Sequence, residues 1–284
     1  MSPGVVDIAI PLVTFLLMVV VGLDLTAGEF QRVRRRPVVL LAGLLAPVVV
    51  LPPLAWGLVT FSAPSSTVAT GLLIMAACPI GGISNVYTLL ARADTALSVT
   101  LTTLSCLLAA VTIPTISGGL AMVSGRELAF SVPGRLLIVQ LMLMLAVPVL
   151  LGMFIRVRWP EVASRHQSTL QRVAFTLVAL LVVVVVWSQF DLFRRELAGI
   201  LPRALLFMLL SLGAGALVGL MIGADRVEWV TLALEFGTRN VAVAAAIAVT
   251  MLGRIEFAVF GATYFLAELP LMLLLVVALR RAGR

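Results

Sequence analysis

Residues 78–86 read Cys78-Pro79-Ile80-Gly81-Gly82-Ile83-Ser84-Asn85-Val86, and residues 235–241 read Glu235-Phe236-Gly237-Thr238-Arg239-Asn240-Val241. Both stretches carry Gly-x-[Ser/Arg]-Asn-Val in the middle of a long apolar run. Pro79 removes a backbone donor and the neighbouring glycines weaken a helix, so the first run is predicted to open near Pro79–Gly82. Unwound backbone at membrane depth persists only where protein or a water-filled cavity satisfies it. Glycines and prolines also serve simply to bring membrane helices close together. Two matched interruptions, each with polar residues attached, point instead to the binding site of a transporter.

The rest of the chain supplies the membrane. Hydrophobic residues make up 62% of the 284 and charged residues 12%, with a mean hydropathy of +1.18. A soluble domain carries roughly 45–50% apolar and about 25% charged residues. Each crossing helix takes ~20 apolar residues, so helices and short connections consume nearly the whole length. About nine spans are predicted, near 5–23, 37–60, 68–90, 95–121, 132–155, 170–189, 201–223, 228–250 and 256–280. The longest connection is expected from Arg156 to about Gln171 and holds the only histidine, His166. The first run, preceded by Asp7 and without a basic flank, reads as a retained span and not as a cleaved leader.

All 20 basic residues are arginines, giving a net charge of +7. Nucleic-acid binding would need them clustered on a solvated domain; here they fall in short connections. With the N-terminus outside, thirteen lie on inner segments and six on outer ones, leaving Arg239 within a span. That asymmetry predicts a multi-pass cell-membrane protein with its C-terminus in the cytoplasm. Cys78 and Cys106 both lie in apolar stretches, so no disulfide framework is implied.

Glu235 is the most informative residue. A carboxylate at the bilayer centre costs several kcal/mol unless it is paired or faces water. Thr238 and Asn240 follow it, while Ser84 and Asn85 lie at the first break. Hard cations seek such oxygens. Ser98 and Thr102, four apart, share a helix face on the next span. Thr103 and Ser105 read as locally bonded hydroxyls. Arg239 stands at i+4 from Glu235, where opposite charges meet on a helix. It is either a private partner for that carboxylate or a fixed cation near the substrate. Glu268, two residues before Pro270, is a third intramembrane ionisable group, while Asp24 and Glu29 are expected at the interface. A hydrolase has no lysine and no membrane histidine with which to activate a serine, so no enzyme is expected.

The run from Cys78 to Thr102 resembles the signature of the bile acid:sodium symporter family, and Glu235-Phe-Gly-Thr-Arg-Asn240 is similar to its second crossover motif. The first span, ending Val21-Gly-Leu-Asp-Leu25, resembles it as well. The resemblance implies an all-α membrane fold with inverted repeats and two crossing discontinuous helices. It divides a single transporter domain into a core, approximately 37–121 and 201–280, and a panel, approximately 5–23 and 132–189. It also implies alternating access and a Na⁺ site at Ser84, Asn85, Ser98, Thr102 and Glu235. The family's second Na⁺ site uses two glutamines that fall here at about Pro47 and at Arg239. A guanidinium only donates and is permanently charged, so it would repel Na⁺.

The expected function is therefore Na⁺-coupled symport of a small organic anion with one cation site. Arg239, Asn240, Thr238 and Glu268 then lie toward the substrate or act as fixed charges. Glu235, Glu268 and Arg239 sum to a formal charge of −1, which one cation would balance. A proton-coupled or uncoupled carrier, and a metalloid exporter using Cys78, are the alternatives. The lipid bilayer and the substrate are the expected partners, with no organic cofactor and no nucleic acid.

Overall fold

The computed structural model describes residues 3–26, 28, 31, 36–124 and 134–282. Arg32, Arg34, Arg35, Arg126, Arg284 and Glu29 lie outside the described residues. Among those described, helix dominates and no named strand occurs. Among the described residues six helices are long and apolar enough to cross a membrane, and three shorter apolar helices accompany them.

Helix α1 spans Pro3–Asp24, α2 Pro37–Ser62, α3 Ser66–Ala77, α4 Ser84–Ala91 and α5 Thr95–Ser124. Helix α6 joins Gly134–Leu141 to Val147–Arg158 through a π-helical turn at Met142–Ala146. Then follow α7 (Pro160–Ser188), α8 (Phe190–Met221), α9 (Arg226–Gly237), α10 (Val241–Met251, its second half π-helical) and α11 (Ala258–Ala282).

The expected connection from Arg156 to about Gln171 is instead mostly helical: α7 begins at Pro160. Proline at the first helical position gives up a backbone donor that has no partner there anyway, and Glu161 complements the positive end of the helix. His166 lies on the exposed side of this helix, its Nδ1 3.0 Å from the Val162 carbonyl oxygen.

Burial separates the helices. Two-thirds of the apolar stretch of α5 is buried (67%), against 17% for α7. Helix α5 is thus a central element, while α7 leaves most of its apolar surface for lipid. Helix α1 packs on α6 and α7, and α8 packs on α9 and α11. The α1–α6 contact runs backbone to backbone. A Cβ on Gly22 would stand 2.0 Å from the Val149 carbonyl oxygen, and one on Gly152 would stand 2.1 Å from that of Val19. Small residues permit this approach in membrane helix pairs.

Two apolar runs break where proline and glycine predicted. The first stops after Ala77 and resumes at Ser84; the second stops at Gly237 and resumes at Val241. The starts of α3 and α9 are capped by local side chains, Ser65 and Asp225. Asp225 and Glu228 form a reciprocal capping box at the start of α9, and Arg36 pairs with Glu228 at 2.6 Å. That ion pair contributes little by itself, because the Arg36 side chain is 53% exposed.

Candidate functional site

The two breaks meet each other. Ile80 and Arg239 form an isolated antiparallel bridge. The Gly81 amide donates to the Thr238 carbonyl at 3.2 Å, and the Asn240 amide donates to the Pro79 carbonyl at 3.0 Å. Each unwound segment therefore supplies the hydrogen bonds that the other lost by leaving the helix. The approach is close: a Cβ on Gly81 would lie 2.8 Å from the Arg239 carbonyl oxygen. Ser105 completes the arrangement, accepting from the Ile80 amide at 3.2 Å while donating to the Thr102 carbonyl at 2.9 Å.

Around Glu235, on the last turn of α9, oxygen atoms from two other helices converge. Ser98 Oγ donates to Glu235 Oε1 at 2.5 Å, and Thr102 Oγ1 donates to Oε2 at 3.1 Å. Asn85 Oδ1 lies 2.8 Å from Ser98 Oγ and 3.4 Å from Thr102 Oγ1, and Ser84 Oγ lies 3.3 Å from Thr102 Oγ1. Glu235, Ser84, Ser98 and Thr102 are fully buried and Asn85 is half-buried. The four-residue spacing of Ser98 and Thr102 puts both hydroxyls on one carboxylate. This donor set, one carboxylate with neutral hydroxyl and amide oxygens, fits a hard monovalent cation. Such a cation would lie near the C-terminal end of α9, where the helix dipole favours positive charge.

Arg239 does not join this cluster. Its guanidinium turns to the C-terminal end of α3, donating to the carbonyl oxygens of Met75 (3.4 Å), Ala76 (3.5 Å) and Cys78. The Ala76 and Cys78 carbonyls lie where α3 stops and helical donors run out, while that of Met75 is shared with the Cys78 amide at 3.3 Å. A cation there also complements the helix dipole. The end of α9 is met differently, by the Tyr264 hydroxyl donating to the Gly237 carbonyl at 2.6 Å. Asn240 caps α10, accepting from the Val243 amide at 3.1 Å. Among the described residues the Thr238 hydroxyl and Arg239 Nη1, both buried, have no partner. Glu268 is fully buried one turn beyond Tyr264, and neither of its carboxyl oxygens accepts a hydrogen bond among the described residues.

A cavity of about 110 Å³ opens between the crossover and helices α1 and α7. Gly82, Asn85 and Asn240 line one side, and Val21, Asp24, Gln171 and Phe175 line the other. Pockets that bury drug-sized ligands reach roughly 300–1,000 Å³, so this conformation offers room only for a small guest. Asp24, expected at the interface, is 7% exposed and accepts from Gln171 (3.2 Å) and Gln167 (3.4 Å). Sequence reasoning missed it because the two glutamines come from a segment read as a connection. The backbone role of Ser105 was missed as well, since a lone membrane serine gives no sign of a distant partner.

The chain matches the family model described as the Sodium Bile acid symporter family over residues 11–195. It is 30% identical over 240 residues to an uncharacterized sodium-dependent transporter, YocS, of Bacillus subtilis, covering 82% of this chain and 71% of that protein. A probable chloroplastic sodium/metabolite cotransporter, BASS2, of Oryza sativa is 29% identical over 165 residues, 58% of this chain and 38% of its own. A sodium-dependent organic anion transporter of Bos taurus is 25% identical over 229 residues, 80% of this chain and 59% of its own.

Proposed function

The chain belongs to the sodium bile acid symporter family, and from that membership we propose that this membrane transporter couples uptake of a small organic anion to Na⁺ by alternating access. The observation that carries the proposal is the convergence of Ser98, Thr102 and Asn85 on the buried Glu235 carboxylate and its hydroxyl partners. Na⁺ would be held there by Ser84, Asn85, Ser98, Thr102 and Glu235. A carboxylate buried among hydroxyls is at its lowest energy with a cation beside it. Three separate elements contribute ligands, so the ion would fix the geometry of the crossover that forms one wall of the cavity. Substrate binding and Na⁺ binding then favour each other by the same factor.

Arg239 takes the place of a second cation. Its charge is permanent, it is bonded to the end of α3, and it occupies the position where a neutral amide ligand was expected. One Na⁺ per cycle is the resulting stoichiometry. The nine-span arrangement with inverted repeats belongs to this reading. So do the division into core (37–121 and 201–280) and panel (5–23 and 132–189), and the orientation with the N-terminus outside and the C-terminus cytoplasmic. Asn240, Thr238 and the cavity side of α7 would meet the substrate, and Arg239 would bias the crossover toward an anion.

The experiment is binding of radioactive Na⁺ to the purified protein, followed by uptake of labelled bile acids and keto acids into proteoliposomes with NaCl or choline chloride outside. Saturable Na⁺ binding that disappears in Glu235→Gln, with uptake that requires NaCl, is expected. Uptake indifferent to Na⁺ would overturn the coupling.

A further inference from the structure

We propose that Glu268 is a proton-binding site, separate from the cation site at Glu235, which carries its proton in the conformation described here. The argument starts from an accounting of hydrogen bonds. Among the described residues neither oxygen of the fully buried Glu268 accepts a bond, and the neighbouring Tyr87 hydroxyl, also buried, has no aligned partner. Tyr87, from α4, is the polar side chain within reach of Glu268, near enough to hydrogen-bond with it but not aligned to do so here. An ionised carboxylate in dry surroundings, with one unaligned hydroxyl as its donor and no counter-charge in contact, costs several kcal/mol or more. The neutral acid removes that cost, because its own O–H becomes a donor for which the Tyr87 oxygen is the acceptor at hand.

The surroundings support a proton over a metal ion. Na⁺ needs several oxygens at once, as the Glu235 cluster provides. Around Glu268 the titratable or charged neighbours are Tyr87 from α4, Tyr264 one turn earlier on α11, and Arg239 beyond Tyr264. The Tyr264 hydroxyl is already committed to the Gly237 carbonyl. Arg239 is committed to the end of α3. Helix α8, packed along α11, presents Phe207, Ser211 and Leu212, with the Ser211 hydroxyl donating to its own helix. Helices α3 and α10, which also pack on α11, have no ionisable side chain within their helical segments apart from the Arg239 that precedes α10. Helix α7, which meets α11 through Phe175 and Phe265, carries Glu161, Arg165, His166 and Arg172, all exposed. One acceptor and no cage is a site for H⁺.

The same assignment balances the charge of the centre, a point that rests on the one-cation reading above. With Glu268 neutral, Glu235 and Arg239 sum to zero; Na⁺ and a monovalent anion then add and cancel. With Glu268 ionised, the loaded centre would carry an uncompensated negative charge in low dielectric, which is costly. Binding of the anion and protonation of Glu268 are therefore linked, and each promotes the other.

Infrared difference spectroscopy on the full-length protein in proteoliposomes tests the site without knowledge of the substrate. The probe is the carbonyl stretch of an un-ionised carboxylic acid, recorded at neutral pH in NaCl and in choline chloride. Wild type is expected to show this band in both salts, Glu268→Gln to lose it, and Glu235→Gln to keep it in NaCl. Tyr87→Phe is expected to shift it to higher frequency, because the acid loses its acceptor. The Gln variant is isosteric with the neutral acid, and Tyr87→Phe removes a single oxygen, so at least one of the two reports on a folded protein. A band that survives Glu268→Gln, or no band in wild type, overturns the proposal. A Glu268 band present only in choline would assign the residue to a metal cation and overturn it as well. Loss of Na⁺ binding with the band intact would sink the Na⁺ reading and leave this one standing.

Discussion

Glu235 and Arg239 are four residues apart in sequence and yet make no ion pair, because Gly237 ends α9 between them. On a continuous helix the two side chains would share a face. Once the helix stops, the backbone turns and the pair divides. The carboxylate goes to the hydroxyls of α5 and the guanidinium to the carbonyls that end α3. One break thus separates a negative charge, the one proposed to meet a mobile cation, from a positive charge bonded to the end of α3.

Removing a hydroxyl from the Glu235 cluster should weaken Na⁺ without unfolding the protein. A hydrogen bond to a charged group is worth about 1.5–3 kcal/mol, or roughly 10–100-fold in affinity. Ser98→Ala and Thr102→Ala are expected to raise the Na⁺ dissociation constant by that factor. Thr103→Ala, whose hydroxyl bonds to Val99 and Val21 carbonyls, should stay within a few-fold of wild type. Equal effects at all three positions would dissolve the site.

Arg239→Gln should lower the thermal midpoint in detergent, since it takes a donor from the Ala76 and Cys78 carbonyls at about 1–3 kcal/mol each. Arg239→Lys retains the charge but not the planar fork, and should fall between. In uptake assays the Gln variant also removes the fixed positive charge, and anion affinity should drop. A wild-type midpoint for Arg239→Gln would mean that the guanidinium is not holding the break.

The adjacent glycines should separate stability from transport. Alanine at Gly81 would press on the Arg239 backbone, 2.8 Å away, and is expected to cost about 1–3 kcal/mol. At Gly82 the nearest atom is Val21 Cγ2 at 3.5 Å, an ordinary contact. Gly82→Ala should therefore leave the midpoint unchanged, yet narrow the cavity that Gly82 lines and reduce uptake. Reversed phenotypes would show the crossover to be assembled otherwise.

Gly22→Ala and Gly152→Ala should each destabilise the α1–α6 pair, by about 1–3 kcal/mol, since the added methyl meets carbonyl oxygens near 2 Å. Gly119→Ala, with nothing within 4 Å of its Cβ, should be neutral or slightly stabilising through helix propensity. Thermal unfolding of the three variants side by side decides the matter.

Much of this was legible in the residues. Pro79, Gly81 and Gly237 gave the breaks, because their effect on a helix is local. The four-residue spacing of Ser98 and Thr102 gave a shared face, since helical periodicity is local too. What escaped depends on partners far along the chain. Of the two readings of Arg239, a partner for Glu235 or a fixed cation near the substrate, the first carried the phase of the helix through a glycine that ends it. Asp24 read as interfacial because its glutamine partners lie on α7, a helix whose first turns look like a charged connection. Ser105 read as bonded to its own turn, which is half correct: it also takes the Ile80 amide. Glu268 was visible as a buried charge, but its lack of an aligned donor among the described residues can be seen only with its neighbours in place.

The bridge between the breaks has a consequence for biogenesis. Cys78 and Arg239 are 161 positions apart, so the first unwound segment leaves the ribosome long before the residues that complete it. Until 238–240 are made, the Pro79 carbonyl and Gly81 amide have no protein partner and must stay hydrated or inside the insertion machinery. Membrane integration of the N-terminal half is thus provisional and becomes final only when the C-terminal half docks. A nascent chain ending after Met221 should leave Cys78, fully buried in the complete protein, open to a water-soluble thiol reagent; protection in that truncated chain would refute this order of assembly.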